Sequence, residues 1–178
     1  MFCSEPIEVL TIGSYTGELL YSVDCENPRV EFDTNISVIA CWHRRYKLGD
    51  VQPNKRPDEY IKNDIPKGSV VLNVYMYDHS GIAVSTSPFS CPWDSGQIGL
   101  AWISREEGTK QFGRIWRKKA RLSIESEIET YNKFLSGDVL DWVVKNSNGD
   151  IVDSCSCYYD IDQARNDMVS ALGIQQSS

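Results

Sequence analysis

Apolar and polar positions alternate in short runs along most of this chain, with turn formers between the runs. From Val70 to Tyr77 the run is β-branched and aromatic, Asp78-His79-Ser80-Gly81 follows as a tight turn, and Ile82 to Ser87 returns as a partner strand. A third strand is predicted from Ile98 to Ser104, after the loop Pro88-Phe89-Ser90-Cys91-Pro92-Trp93-Asp94-Ser95-Gly96-Gln97. Two prolines, a tryptophan and an Asx residue in so short a loop predict a fixed conformation, with Gly96 supplying a special backbone angle.

The same pattern sorts the rest of the chain. Ile7–Ile12 and Glu18–Val23 flank Gly13-Ser14-Tyr15-Thr16-Gly17 as an opening hairpin, and Ile36–Trp42 is a strand. Residues 51–67, with three prolines and many charges, read as an exposed connection with one helical turn around Asp58–Lys62. Ser104 and Glu107 have capping-box spacing and open a short helix that Gly113 ends. Trp116, Ala120, Ile124, Ile128, Tyr131 and Leu135 recur every three or four residues, which predicts a helix over 116–136 stopped by Gly137. Asn148-Gly149 between Val139–Lys145 and Ile151–Tyr158 predicts a hairpin. A last helix, Ile161–Leu172, is expected to be capped by Gly173, with a frayed polar tail. The prediction is one α+β domain over residues 1–178: an antiparallel sheet built of hairpins, with two to three helices packed on one side.

Charge narrows the function classes. At net charge −7 the chain lacks the basic surface that general nucleic-acid binding needs, so a protein partner is expected before a nucleic acid. No apolar run approaches the ~18–20 residues that cross a bilayer. The start, Met1-Phe2-Cys3-Ser4-Glu5-Pro6, has no secretory pattern, so a soluble cytoplasmic protein without a membrane partner is expected. In that setting Cys3, Cys25, Cys41, Cys91, Cys155 and Cys157 are expected as free thiols. Cys155 and Cys157, two apart on a strand, share a face and are the weak metal candidates, without the partner pair that completes a zinc site. There is no phosphate loop, dinucleotide fingerprint or zinc-protease motif, and no cofactor is expected.

Chemistry rests on few residues. His43 and His79 are the only imidazoles. Asp78, His79 and Ser80 are consecutive and cannot form a triad among themselves, so His79 would need Cys91 or Asp94 from the adjacent loop. The plainer account is a turn stabilised by Asp78 and Ser80 side chains. Arg44 and Arg45 beside His43 can grip phosphate or carboxylate, or pair with Asp50, Asp58 or Glu59. Cys91 is a catalytic thiol only with a nearby cation or helix start, and otherwise an inert buried cysteine. Trp93 is a recognition anchor or a plug at the end of the sheet, with Ser95 and Gln97 beside it as binding residues. Arg117, Lys118, Lys119 and Arg121 crowd a helix start against its dipole, as a solvated face or as an anion-binding turn.

Cys41-Trp42-His43-Arg44-Arg45-Tyr46-Lys47-Leu48-Gly49-Asp50, Asp78-His79-Ser80-Gly81, Ser90-Cys91-Pro92-Trp93-Asp94-Ser95-Gly96-Gln97-Ile98-Gly99 and the stretch from Glu129-Thr130-Tyr131 to Ser136-Gly137-Asp138-Val139 resemble, in this order, an uncharacterised family of small acidic proteins. That family looks to be encoded mainly by bacteriophages and other mobile elements, and the resemblance covers about residues 35 to 165. It implies a phage or mobile-element origin and no particular activity. Two functions are expected from all of this. The first is a non-enzymatic accessory protein that binds a host or phage macromolecule, as in anti-defence. The second is an enzyme acting on a nucleotide, another phosphorylated small molecule or an acyl bond through His43 and His79, with Arg44 and Arg45 as anion clamps. Which of them holds turns on whether His43, His79 and the Trp93 loop meet.

Overall fold

The computed structural model describes residues 5–176. In chain order the elements are β1 (Glu8–Ile12), β2 (Tyr15–Tyr21), α1 (Pro28–Glu31), β3 (Val38–Cys41), α2 (Pro57–Asn63), β4 (Val70–Asp78), β5 (Ile82–Ser85), β6 (Ser95–Ile103), α3 (Arg105–Phe112), α4 (Trp116–Ser136), β7 (Leu140–Lys145), β8 (Ile151–Tyr158) and α5 (Ile161–Gln176). All strand pairs within the sheets are antiparallel, so the fold is the expected α+β class. The chain divides into two compact units, one drawn from Met1–Glu26 with Gly137–Ser178 and the other from Asn27–Ser136.

The first unit holds a four-stranded sheet in the order β1-β2-β7-β8, built from the two predicted hairpins. Helix α5 lays Ala164, Met168, Ala171 and Leu172 against Leu19, Leu140, Trp142 and Val144. That helix continues past Gly173, which does not adopt the left-handed conformation of a stop. Of the last five residues, expected as a frayed tail, 174–176 belong to that helix and 177–178 lie outside the described residues. One sequence expectation fails here: Cys25 and Cys157 form a disulfide across a separation of 132 residues. Strand β8 carries a bulge, since Leu140 faces Tyr158 while Trp142 faces Cys155, and Cys157 takes a left-handed φ of 66°. That irregularity breaks the alternation which would set Cys155 and Cys157 on one face.

The second unit carries a sheet in the order β3-β6-β4-β5. Leu72, Val74 and Met76 of β4 and Ile98, Ala101 and Ile103 of β6 bury against Trp116, Ala120, Ile124, Ile128 and Tyr131 of α4. These are the helical positions that the 3.6-residue period selects. Ala40 and Leu100 pack instead with Tyr60 of α2 and with Ile65. Strand β6 begins at Ser95, earlier than its apolar run, because Ser95, Gly96 and Gln97 pair with Tyr77, Met76 and Tyr75 past a bulge. Gly96 is therefore extended strand rather than a special turn residue. Ser104 caps α3 by accepting from the Glu107 N–H, and Gly137 follows α4 at a φ of 74°.

A buried ionic network ties this unit together. The Arg29 side chain, 3% exposed, donates through Nε and Nη2 to both oxygens of Asp50 and through Nη1 to Glu127 and Asn35. It also donates to the Ser37 carbonyl. Glu127 in turn accepts from the Ile36 and Ser37 backbone N–H groups and from the Ser37 and Ser123 hydroxyls. Burial opposes the charge on Arg29, but its hydrogen bonds to Asp50 and Glu127 outweigh that cost and raise its pKa above the usual value. Removing one partner of such a network leaves the others buried and uncompensated. Arg29→Ala is therefore expected to destabilise the protein by about 3–5 kcal/mol in urea unfolding. Lysine, lacking the planar fork, should recover less than half of that loss.

Candidate functional site

The segment between β3 and Asp50 is held from both ends. The Asp50 carboxylate accepts from the Ile39 N–H while gripping Arg29, and Leu48 is buried in the main core. Gly49 has a φ of 71°, and a Cβ there would stand 2.7 Å from the Ile39 carbonyl, so glycine is required. Its N–H donates to the Tyr131 hydroxyl of α4 at 3.1 Å. Between these anchors the chain presents His43, Arg44, Arg45 and Tyr46. His43 stacks on Tyr46 with ring centres 5.1 Å apart, and its Nδ1 accepts the Tyr46 N–H. That imidazole nitrogen is occupied in shaping the turn.

Arg45 reaches the turn between β4 and β5. Its Nη1 lies 3.4 Å from Asp78, and the Tyr46 hydroxyl donates to the other oxygen of the same carboxylate at 3.3 Å. The sequence alternatives of Asp50, Asp58 and Glu59 as ion-pair partners are not the ones adopted. Asp50 is held by Arg29, and Asp58 pairs with Arg56. Arg45 is 73% exposed, so its ion pair orients more than it stabilises.

Asp78 also leads to the Trp93 loop, because its N–H donates to the Asp94 carbonyl at 2.8 Å. The Asp94 carboxylate then meets two of the predicted residues at one oxygen, His79 Nδ1 at 3.4 Å and the Cys91 thiol at 3.7 Å. The Ser95 hydroxyl donates to the Cys91 carbonyl and closes the loop on itself. Tyr77 packs near both His79 and Phe89, with ring centres 6.0 and 5.7 Å away. Within this braced frame Trp93 stands 91% exposed. Gln97 turns toward the sheet, donating to Asn73 and to the Gly99 carbonyl.

His79, Cys91, Asp94 and, through Asp78, Arg45 thus share one end of the second sheet. Phe89 extends the area into a cleft of about 510 Å³ that runs between β5 and α4 past Val84, Ile128, Glu129 and Asn132. The chemistry of the group is limited. A nucleophilic thiolate needs a neighbouring cation, whereas the polar neighbour of Cys91 is a carboxylate that also holds the imidazole. His79 and Asp94 are 64% and 40% exposed, and water screens their interaction. Three side chains of the basic turn of α4 are engaged within the unit. Arg117 covers the Trp116 ring, Lys119 lies over Phe112, and Arg121 pairs with Glu125.

Sequence reasoning named His79, Cys91, Asp94 and Arg45 but missed Asp78 as the residue joining the two segments. It also missed Tyr46, in the segment after the predicted strand Ile36–Trp42, and Tyr77, which was read only as a strand residue. No known protein family, curated protein or solved structure matches the chain.

The free cysteines give a direct check on these environments. Cys155 is exposed, Cys91 half-buried, and Cys41 buried beneath α4. Burial first, and the Asp50 charge second, push the Cys41 thiol from 9.0 up to about 12. Burial likewise raises Tyr131. The folded state keeps a proton that the unfolded chain gives up, so the stability from Cys41 is complete below pH 9 and is lost as pH climbs toward 12. Unfolding midpoints measured across that window should fall, and Cys41→Ala should flatten the slope. Among these three cysteines, mass-mapped alkylation of the native protein at neutral pH should label Cys155 first, Cys91 next and Cys41 last. Early labelling of Cys41 would contradict its burial.

Proposed function

We propose that this protein is a non-enzymatic accessory protein that acts by binding a host or phage macromolecule, a protein in the first instance, in the host cytoplasm. The observation that carries this reading is Trp93, an almost fully exposed tryptophan on a loop whose backbone and side chains are tied on both flanks. Large aromatic side chains on pre-ordered surfaces supply much of the energy of protein association, because little conformational freedom is lost when they dock. Arg44 and Arg45 lie on the neighbouring segment and add a charged rim to an anchor of this kind. The resemblance to phage and mobile-element proteins bears on origin alone, and counter-defence is one role that a binder of such origin fits.

A second reading, an enzyme acting on a phosphorylated small molecule or an acyl bond, has one observation in its favour. His79, Asp94 and Cys91 meet at a single carboxylate oxygen. His43 belongs to the same reading as a second imidazole, although its Nδ1 is occupied by the Tyr46 N–H.

Affinity capture separates the two. The tagged protein, expressed in a bacterial host, is expected to recover one stoichiometric partner. Trp93→Ala should weaken that partner's binding by at least tenfold, and the Arg44→Ala and Arg45→Ala pair by less. His79→Ala and Cys91→Ala, which remove braces of the loop but keep Trp93, should weaken recovery by less than Trp93→Ala does. Circular dichroism spectra equal to wild type would show that each variant is folded. Recovery that is insensitive to Trp93, or no partner at all, overturns the binding reading. Turnover of a phosphorylated or acyl substrate that is lost in His79→Ala would establish the enzyme instead.

A further inference from the structure

The first unit contains a cluster that plays no part in the Trp93 site. The sulfurs of Cys25 and Cys157 and a carboxylate oxygen of Asp141 all lie within 4.8 Å of one another. Asp141 is only 5% exposed, and a carboxylate so deeply placed demands a reason. Part of the reason is local: its Oδ1 accepts the Cys157 N–H at 2.9 Å and satisfies the bulge of β8. An asparagine or serine oxygen would serve that bond as well, and a disulfide has no use for a neighbouring negative charge. Two thiolates and a carboxylate, by contrast, are a ligand set that a divalent cation stabilises and that repels itself without one.

We propose that Cys25, Cys157 and Asp141 form a binding site for a zinc-like divalent cation when the two cysteines are reduced, and that the disulfide is the oxidised, metal-free form of the same site. Three protein ligands leave a fourth, tetrahedral position for water or an incoming group. The Ser22 hydroxyl, 3.0 Å from the Cys25 sulfur, is placed to hydrogen-bond that ligand and orient it. Cys155 is outside the converging set. Conversion to the oxidised form needs a two-electron acceptor, and a low-molecular-weight disulfide serves. One cysteine thiolate attacks it and releases one small thiolate. The other cysteine thiolate then displaces the second, the Cys25–Cys157 bond forms, and the cation leaves for solvent. This also revises the metal reading made from the sequence, in which Cys155 and Cys157 were paired because of their spacing alone.

The full chain, reduced with a phosphine and freed of metal, is titrated with Co²⁺ while thiolate-to-metal charge-transfer absorption is followed. One equivalent is expected to bind and to be displaced by Zn²⁺, while the chain oxidised with a small disulfide gives no band. Asp141→Asn keeps an acceptor for the Cys157 N–H but removes the charge, and it should lower Co²⁺ affinity at least tenfold with an unchanged far-ultraviolet circular dichroism spectrum. Cys155→Ser should stay within twofold of wild type. No charge-transfer band in the reduced chain, full affinity in Asp141→Asn, or loss of binding in Cys155→Ser would each overturn the assignment. Should Asp141→Asn fail to fold, zinc X-ray absorption on the reduced wild type decides. Two sulfurs at about 2.3 Å together with oxygen support the site, and a shell of sulfur alone or without sulfur refutes it.

Discussion

The charge on Arg29 is the constraint on which the second unit depends. A guanidinium removed from water must be matched on every face, and here it is matched by Asp50, Glu127, Asn35 and the Ser37 carbonyl. Those groups come from three parts of the chain, residues 35–37, Asp50 and Glu127, so satisfying one side chain fixes the entry to β3, the middle of α4 and the end of the 43–50 segment together. Glu127 reinforces this by accepting the two N–H groups, Ile36 and Ser37, that precede the strand's ladder. An apolar replacement of the whole network could pack as well, but it would not dictate the same register. Placement, more than stability, is what the network contributes.

That placement reaches the surface. Asp50 anchors one end of the segment that carries His43, Arg44, Arg45 and Tyr46, and β3 anchors the other. With its ends fixed, the segment can bring Arg45 and Tyr46 to Asp78, whose backbone bonds to Asp94 in the Trp93 loop. Side-chain contacts and the short segment from Tyr46 to Asp50 therefore connect a buried arginine to the loop that carries an exposed tryptophan. For the binding we propose, the consequence is entropic. A loop ordered before its partner arrives loses less freedom on docking than a slack one of the same composition.

The strands, hairpins and helices were legible because their signals are local. Periods of two and of 3.6 residues, the Asn148-Gly149 turn and the Ser104 cap each lie within a few residues of what they specify. Arg29 was not legible, since it sits in a polar stretch that reads as loop and its partner Glu127 is 98 residues away on a helix face that reads as solvated. The Cys25–Cys157 pairing was hidden for the same reason, and composition argued for free thiols. The start of β6 was misplaced because Ser95, Gly96 and Gln97 have little strand propensity of their own and are recruited by pairing with β4. At the site, Cys91 or Asp94 was already legible as the loop residue that could partner His79. Only the fold could show them converging on one oxygen.

The convergence fits the recognition role we propose better than catalysis. In a working cysteine–histidine pair the imidazole faces the sulfur and the carboxylate stands behind the imidazole. Here the carboxylate stands in the middle, with the thiol and the imidazole on the same oxygen. Both of its neighbours then serve to fix Asp94, and Asp94 fixes the loop through its carbonyl to Asp78 and through the adjoining Ser95. His43, the second imidazole, is likewise committed to the Tyr46 turn. Residues whose types suggest chemistry are in this arrangement the braces of a surface, and the group they leave unbraced and facing solvent is Trp93.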